Sequence, residues 1–429
     1  MTSAMLPLLR CAALALMLTS TGCAVHYRPQ VVFADGPAQF SPEVEARIRR
    51  VEARAGIAAR LARYRVPGVS VAVINAGVVE WARGYGVQEA GGGVRVTQET
   101  VFQAASVSKS VTAMAALRLV QDGRASLDED VNQRLTSWKL PASPHTRSRP
   151  VTLRGLLSHS AGIGVHGFGG YASNATLPSP HEVLDGRGAA RSLPIRCEAP
   201  PGQRSAYSGG GYVIAQQLIS DVTGEPFADS MEDLVLTPLG MTHSTFDQPL
   251  PAAFWPHAAA GHGADGVEIP GRWRVYPELA AAGLWTTPSD LARVVIEIQT
   301  AFTGHQGRVL GQPIAAQMLT HQLPPATAGL GVFVTGRGQG MRFGHNGLNA
   351  GYRALIAGVA HTGQGAVIMS NGDGGDRLDE ELMRLIAAEY RWPRLDEGRQ
   401  DFDDDGLAWL DEAGEGAEPP EAPALLSLR

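Results

Sequence analysis

The sequence predicts an α+β fold, a three-layer α/β/α arrangement. One antiparallel sheet is flanked by helices from both chain ends, and a large helical subdomain is inserted between its strands. Three observations predict it. Apolar alternation of period two occurs in two blocks far apart in the chain, 68–87 and 329–370. Helical periodicity borders each block, at 41–65 and 376–390. Between the blocks, from residue 127 to about 300, the pattern is helical with long loops.

Taken in order, Met1–Cys23 reads as an export signal. Arg10 gives a short positive start, and the apolar stretch after it is too short to span a bilayer comfortably. Thr21-Gly22-Cys23 resembles a bacterial lipoprotein cleavage site, so Cys23 is expected to be lipidated and to anchor the mature chain to the membrane of the cell envelope, facing the periplasm; plain secretion is the alternative, because Ser20 stands where that pattern prefers leucine. Residues 24–40 read as a tether. Ser41 opens a helix over 41–65, with Pro42 at its first position and a stripe of Val44, Ile48, Val51 and Ile57. The strands GVSVAVINA and VVEWARGYGV follow, joined as a hairpin through Asn75-Ala76-Gly77. VTLRGLLSH starts behind Thr152, and LARVVIEIQT behind Thr287-Pro288-Ser289-Asp290; both are helix starts with a capping residue. Residues 162–180, rich in glycine and aromatics, read as a wall over a cleft. After Gly329 come GLGVFVT, MRFGH, YRALIAGVA and AVIMSN as strands, then a final helix ending before Pro393. The main domain is thus expected over 41–393. The tail from Arg394, acidic and Pro/Gly-rich, is expected to be mobile.

A chain of 429 residues, 44% hydrophobic, can bury a large core and pack two subdomains with a ligand cleft between them. Its net charge of −6 gives no reason to expect nucleic acid as a partner. The cysteines are Cys11, Cys23 and Cys197, with no Cys-x-x-Cys pair and no His/Cys group at zinc spacing, so no metal or cofactor is expected.

The chemistry centres on Val101–Gly123. Ser106 and Lys109 stand three apart at the start of a helix, which puts both side chains on one face. A hydroxyl beside an amine is the minimal kit for a serine nucleophile, and first-turn N–H groups are free to face developing negative charge. Lysine is scarce here: among 36 Lys and Arg, only Lys109 and Lys139 are lysine. Arginine cannot serve as a base, whereas a buried lysine can be tuned to do so.

Three further stretches fit the same cleft. Tyr207-Ser208-Gly209 offers a tyrosine that can relay a proton if cationic neighbours lower its pKa. In His345-Asn346-Gly347, glycine would let a substrate lie against the strand, and the Leu348 N–H would join that of Ser106 in holding an oxyanion. Leu156–Gly162 reads as a helix end that shapes the cleft. Gly68-Val69-Ser70-Val71-Ala72 nearly meets the nucleophile elbow of α/β-hydrolases, but it lies within an apolar strand, and Ser70 is read as a sheet residue.

Ser106-Val107-Ser108-Lys109, Tyr207-Ser208-Gly209 and His345-Asn346-Gly347, in this order and with LLSHSAGI, PPGQRSAYSGGGY and AAGLWTTPSDLARV, resemble the serine β-lactamase and penicillin-binding-protein superfamily. The likeness is to its class C-like branch of D-Ala-D-Ala carboxypeptidases, D-aminopeptidases and esterases. It implies a β-lactamase/transpeptidase-like fold and an acyl-enzyme. Ser106 would be the nucleophile, Lys109 would help remove its proton and Tyr207 would shuttle protons. The Ser106 and Leu348 N–H groups would hold the oxyanion, and His345, Asn346, Gly347, Ser208 and Gly209 would meet the substrate. Two departures matter. Gly209 stands where the family has asparagine, and His345 where β-lactamases have lysine. A neutral histidine attracts a substrate carboxylate less than lysine does. The expected substrates are an ester, a β-lactam or a D-alanyl peptide, with esterase or D-amino-acid peptidase activity favoured over efficient β-lactam hydrolysis. The other reading is a non-catalytic or penicillin-binding cell-wall lipoprotein of the same fold.

Overall fold

The computed structural model describes residues 40–147 and 149–394. The export signal with Cys23, nearly all of the tether and the acidic tail lie outside the described residues.

Helix α1 (Pro42–Ala55) starts at Ser41, whose side chain accepts from the Val44 N–H. The single helix expected over 41–65 is two. Gly56, at φ 51°, closes α1 in the left-handed conformation that glycine adopts cheaply, and α2 (Ile57–Tyr64) restarts behind it. β1 (Gly68–Asn75) and β2 (Val78–Gly86) form the hairpin. β3 (Phe102–Gln103) leads through a 3-10 turn, Ala105–Val107, into α3 (Ser108–Gln121).

The inserted region holds α4 (Leu153–Leu157), β4 (Tyr171–Ala172), α5 (Pro180–Asp185), α6 (Gly209–Thr223), α7 (Phe227–Met231), α8 (Thr237–Leu239), β5 (Arg274–Val275) and α9 (Leu279–Ala282). β6 (Trp285–Thr286) pairs with β3. After it come α10 (Pro288–Phe302), α11 (Gln312–Met318), β7 (Phe333–Thr335), β8 (Arg342–Asn349), β9 (Tyr352–Val359), β10 (Gln364–Ser370) and α12 (Gly375–Glu389).

The main sheet is antiparallel, in the order β2-β1-β10-β9-β8-β7, so both chain ends build it. Alternation sorts its side chains onto two faces. Val69, Val71, Val73, Leu355, Ala357 and Ile368 pack with Ile48, Val51, Leu382 and Ile386 of α1 and α12. Ala72, Ile74, Ile356, Val367 and Met369 face α3, α10 and the insert. This is the expected three-layer fold.

One boundary differs from expectation. The insert, expected to run to about 300, stops earlier, because α10 lies across β1, β9 and β10 and is a layer of the sheet domain. Gly358 and Gly365 leave the space that its Val295 enters: a Cβ on them would come within 2.7 and 3.3 Å of that side chain. Asn346-Gly347 lies on a strand, as expected, inside β8 and paired with Leu355 and Ala354. The β8–β9 turn falls at Ala350-Gly351, where Gly351 has φ 81°. Among the described residues no helix is long and apolar enough to cross a membrane.

Candidate active site

Ser106 lies in the middle of the 3-10 turn between β3 and α3 and is partly exposed, while the residues on either side of it are buried. The turn is anchored by the Ala104 N–H, which donates to Leu284 O at 2.9 Å. Ala105 has φ 48°, a conformation that costs a non-glycine residue of order 1 kcal/mol or more and persists only where the surroundings impose it. It sets the serine at the mouth of a buried helix. The Ser106 N–H belongs to the first turn and has no acceptor within its own helix.

Lys109 follows on α3 and is 2% exposed. Its Nζ lies 2.9 Å from Ser106 Oγ and 2.9 Å from Ala281 O of α9. Burial pushes its pKa down to about 7, because an ammonium loses its hydration there. The amine is therefore uncharged for a large fraction of the time near neutral pH, as a general base must be.

Tyr207 closes the other side. Its hydroxyl is hydrogen-bonded to Ser106, and Lys109 Nζ sits 4.9 Å from its ring centre. The expectation that cationic neighbours would lower its pKa is not met. Burial raises it above the ordinary tyrosine range, since the neighbouring amine is itself held toward neutrality. Tyr207 keeps its proton, which suits a donor and not a resting base.

The stretch around His159 does more than shape the cleft. The His159 carbonyl accepts from the Ala206 N–H at 2.8 Å and its Nδ1 accepts from the Ser208 N–H at 3.1 Å. The backbone is thus held on both sides of Tyr207, and the imidazole lies 4.2 Å from the tyrosine ring. Ser158 is satisfied by Arg154 O and Ser160. Burial first, then the Lys109 charge, holds the His159 pKa well below the histidine range, so the ring is neutral.

β8 supplies the far wall. His345 is 1% exposed, with its ring centre 6.1 Å from that of Tyr207. Its Nδ1 lies 2.5 Å from Asn346 O, which assigns the ring proton to Nδ1 and leaves the buried Nε2 as an acceptor with no protein partner. Burial, then the Lys109 charge, pushes its pKa down to about 3. His345 therefore carries no charge for a substrate carboxylate.

Alternation along β8 puts His345, Gly347 and Asn349 on the face toward Ser106, and the side chains of Asn346 and Leu348 on the other. The space at Gly347, expected to admit substrate, is taken by the nucleophile's own turn: a Cβ would stand 2.3 Å from Ala104 O and 3.1 Å from Ser106 N. The glycine lets β8 and that turn meet. Val334 N–H donates to Thr327 O, away from β8, so the pairs next to it, Phe333 with Gly344 and Thr335 with Arg342, are the hydrogen-bonded ones. Even-numbered residues of β8 thus point their N–H toward the β7 side. β7 reaches only to Gly344, and the Leu348 N–H is left facing an open edge.

Two expected substrate contacts besides Gly347 are corrected. Ser208 is 3% exposed and caps α6, accepting from the Gly211 N–H at 2.9 Å and donating to Gly164 O at 3.0 Å. Gly209 does not leave a vacancy: a Cβ there would come within 2.9 Å of the Phe168 ring and 3.0 Å of His166 O. The wall loop fills the space an asparagine would occupy. Phe168, His166 and Phe333 were missed as single residues. For Phe168 and His166 the cue was the aromatic and glycine content of 162–180, which indicated a wall and no particular contact; Phe333 lies on β7 with its ring stacked on that of Tyr207. Ser70, within β1, is buried and donates to Thr97 O. Among the described residues no group of three or more His, Cys, Asp or Glu could hold a metal ion.

Comparison with known proteins identifies the family and the fold. The family model described as Beta-lactamase matches residues 53–390. Penicillin-binding protein 4 of Amycolatopsis lactamdurans is 27% identical over 352 residues, covering 78% of this chain and 88% of that protein. Two solved structures share the fold. D-amino acid amidase from Ochrobactrum anthropi SV3, complexed with L-phenylalanine amide, has a TM-score of 0.64 and 22% identity over 81% of this chain and 99% of that one. D-alanine carboxypeptidase AmpC from Burkholderia cenocepacia has a TM-score of 0.63 and 21% identity over 80% and 99%. The chain belongs to the Beta-lactamase family and has its fold.

Proposed function

We propose that this member of the Beta-lactamase family hydrolyses uncharged esters, and amide or peptide bonds of similar shape, through an acyl-enzyme on Ser106. The observation that carries the reading is the 2.9 Å approach of a buried amine, Lys109 Nζ, to Ser106 Oγ. With the amine neutral, the Ser106 hydroxyl donates to it. Oγ then attacks the substrate carbonyl, and its proton passes to Lys109. The oxyanion is held by the Ser106 and Leu348 N–H groups, each worth about 3–4 kcal/mol in such sites. As the tetrahedral species collapses, the bond to the leaving group breaks. Tyr207 gives that group its proton and is reprotonated by Lys109. Water then attacks the acyl carbonyl as Lys109 takes its proton; the bond from the acyl carbon to Ser106 Oγ breaks, Lys109 returns the proton to Oγ, and the acid leaves.

Two features favour a neutral substrate over a β-lactam. The uncharged His345 offers nothing to the carboxylate that β-lactams carry, and Phe168 covers the position where a side-chain amide would stand. Penicillin-binding and D-amino-acid-specific relatives keep D-alanyl peptides and D-amino acid amides within the substrate class. The leader ending at Cys23 assigns the enzyme to the cell envelope as an anchored lipoprotein; this too is a proposal.

The test is a panel of nitrophenyl esters, nitrocefin and D-alanyl peptides. Short-chain esters should be hydrolysed readily and nitrocefin slowly or not at all. Rapid nitrocefin turnover would show that His345 and Phe168 do not exclude β-lactams. Absence of any turnover and of any penicillin or fluorophosphonate adduct would favour a non-catalytic wall protein.

A further inference from the structure

The two N–H groups proposed to hold the oxyanion come from separate elements, the turn at Ser106 and the strand β8. Their separation must be fixed by something that joins those elements. β3, which leads into the turn, is only two residues long, and its pairing with β6 ends at Gln103.

Asn349 makes the join. It follows Leu348, is 5% exposed, and points its side chain to the same face as Gly347. Its Nδ2 donates to Gln103 Oε1 at 2.8 Å and to Ala282 O at 3.1 Å. Gln103, three residues before Ser106, donates from Nε2 to Arg274 O at 2.7 Å. Ala282 follows Ala281, whose carbonyl accepts from Lys109. One buried amide therefore ties the strand bearing Leu348 to the strand entering Ser106 and to the helix that holds the base. The tie closes the seam in which Gly347 lies against Ala104 O and Ser106 N.

We propose that Asn349 and Gln103 are positioning residues that set the spacing of the Ser106 and Leu348 N–H groups, so that a tetrahedral oxyanion meets both at once. The proposal rests on the oxyanion assignment of the preceding subsection. Neither side chain touches substrate. Both act through the backbone, and a misplacement of about 1 Å in such a site can cost on the order of 10²-fold in rate.

The experiment compares wild type with Asn349→Leu and Gln103→Met. The second leaves the Asn349 bond to Ala282 in place and keeps the question answerable should the first fail to fold. Three quantities are measured: kcat and KM for p-nitrophenyl acetate, affinity for phenylboronic acid, which forms a tetrahedral adduct with the serine oxygen, and the pH midpoint of kcat/KM. The expected result is a loss in kcat of roughly 10²-fold, a KM within about threefold, a matching loss in boronate affinity and an unmoved pH midpoint. Folded variants with near wild-type kcat, or with raised KM and undiminished boronate affinity, would overturn the clamp. Fluorophosphonate labelling of the wild type separates the two levels. An unlabelled wild type removes the oxyanion reading itself, whereas a labelled wild type with undiminished variants removes only the clamp.

Discussion

Ser106→Ala is expected to lower ester hydrolysis by at least about 10⁴-fold, leaving only what binding and the oxyanion donors supply. The size of the loss follows from the site having one reactive oxygen. Ser106 is the partly exposed hydroxyl at the helix mouth, next to the buried amine. Ser70 cannot take over, because it is buried within β1 with its hydroxyl committed to Thr97 O. The variant should fold normally, since Lys109 retains its bond to Ala281 O. Mass spectrometry after fluorophosphonate treatment checks the same point: wild type gains one adduct and the variant none. A variant that keeps its rate within about tenfold would move the nucleophile elsewhere.

Lys109→Arg is expected to cost about 10²–10⁴-fold in kcat/KM, the range of a lost general base. The substitution keeps a cation in the site and removes its ability to lose a proton, because a guanidinium stays charged at any working pH. If the lysine acted only as a positive charge, the arginine variant would retain activity. Lys109→Met should show a loss of similar size and removes the argument that arginine is merely too large. Tyr207 offers no substitute base, since burial raises its pKa. Rates of nitrophenyl ester hydrolysis for both variants, measured where the wild type is fastest, decide the point.

Much of the fold was legible in the sequence because burial imposes periodicity. β1, β9 and β10 are covered on both faces and read as apolar runs, and α1 and α12 show stripes where they meet the sheet. The caps at Ser41, Thr152 and Thr287 were legible because a short polar side chain before a helix has few other uses. The break at Gly56 was not, because the apolar stripe continues through Ile57 and hides the turn. Helix α10 looked like part of the insert because order along the chain does not reveal which face of the sheet a helix returns to. In the site, the spacing of Ser106 and Lys109 was enough to place them together, since three residues on a helix fix a distance. The direction of the Tyr207 shift was not readable, because it depends on burial supplied by His159, Phe333 and the wall loop. The filling of the space at Gly209 by Phe168, and the tie between Gln103 and Asn349, join residues 41 and 246 positions apart in the chain, and no local pattern announces such contacts.

The most direct test of the central claim, that a neutral Lys109 draws the proton from Ser106, is the pH dependence of kcat/KM. A lysine lowered to about 7 is protonated and inactive as a base below that pH, and available above it. The profile should therefore rise through a single midpoint near 7. Burial lowers the pKa values of His345, His159 and His166, moving each away from this midpoint. Burial also raises Glu278, at the start of α9, to about 7, so the profile is measured in Glu278→Gln as well. A midpoint near 7 that persists in Glu278→Gln is the predicted result. A midpoint at the ordinary lysine pKa, a profile with no acid limb, or a limb that disappears with Glu278 would contradict the account.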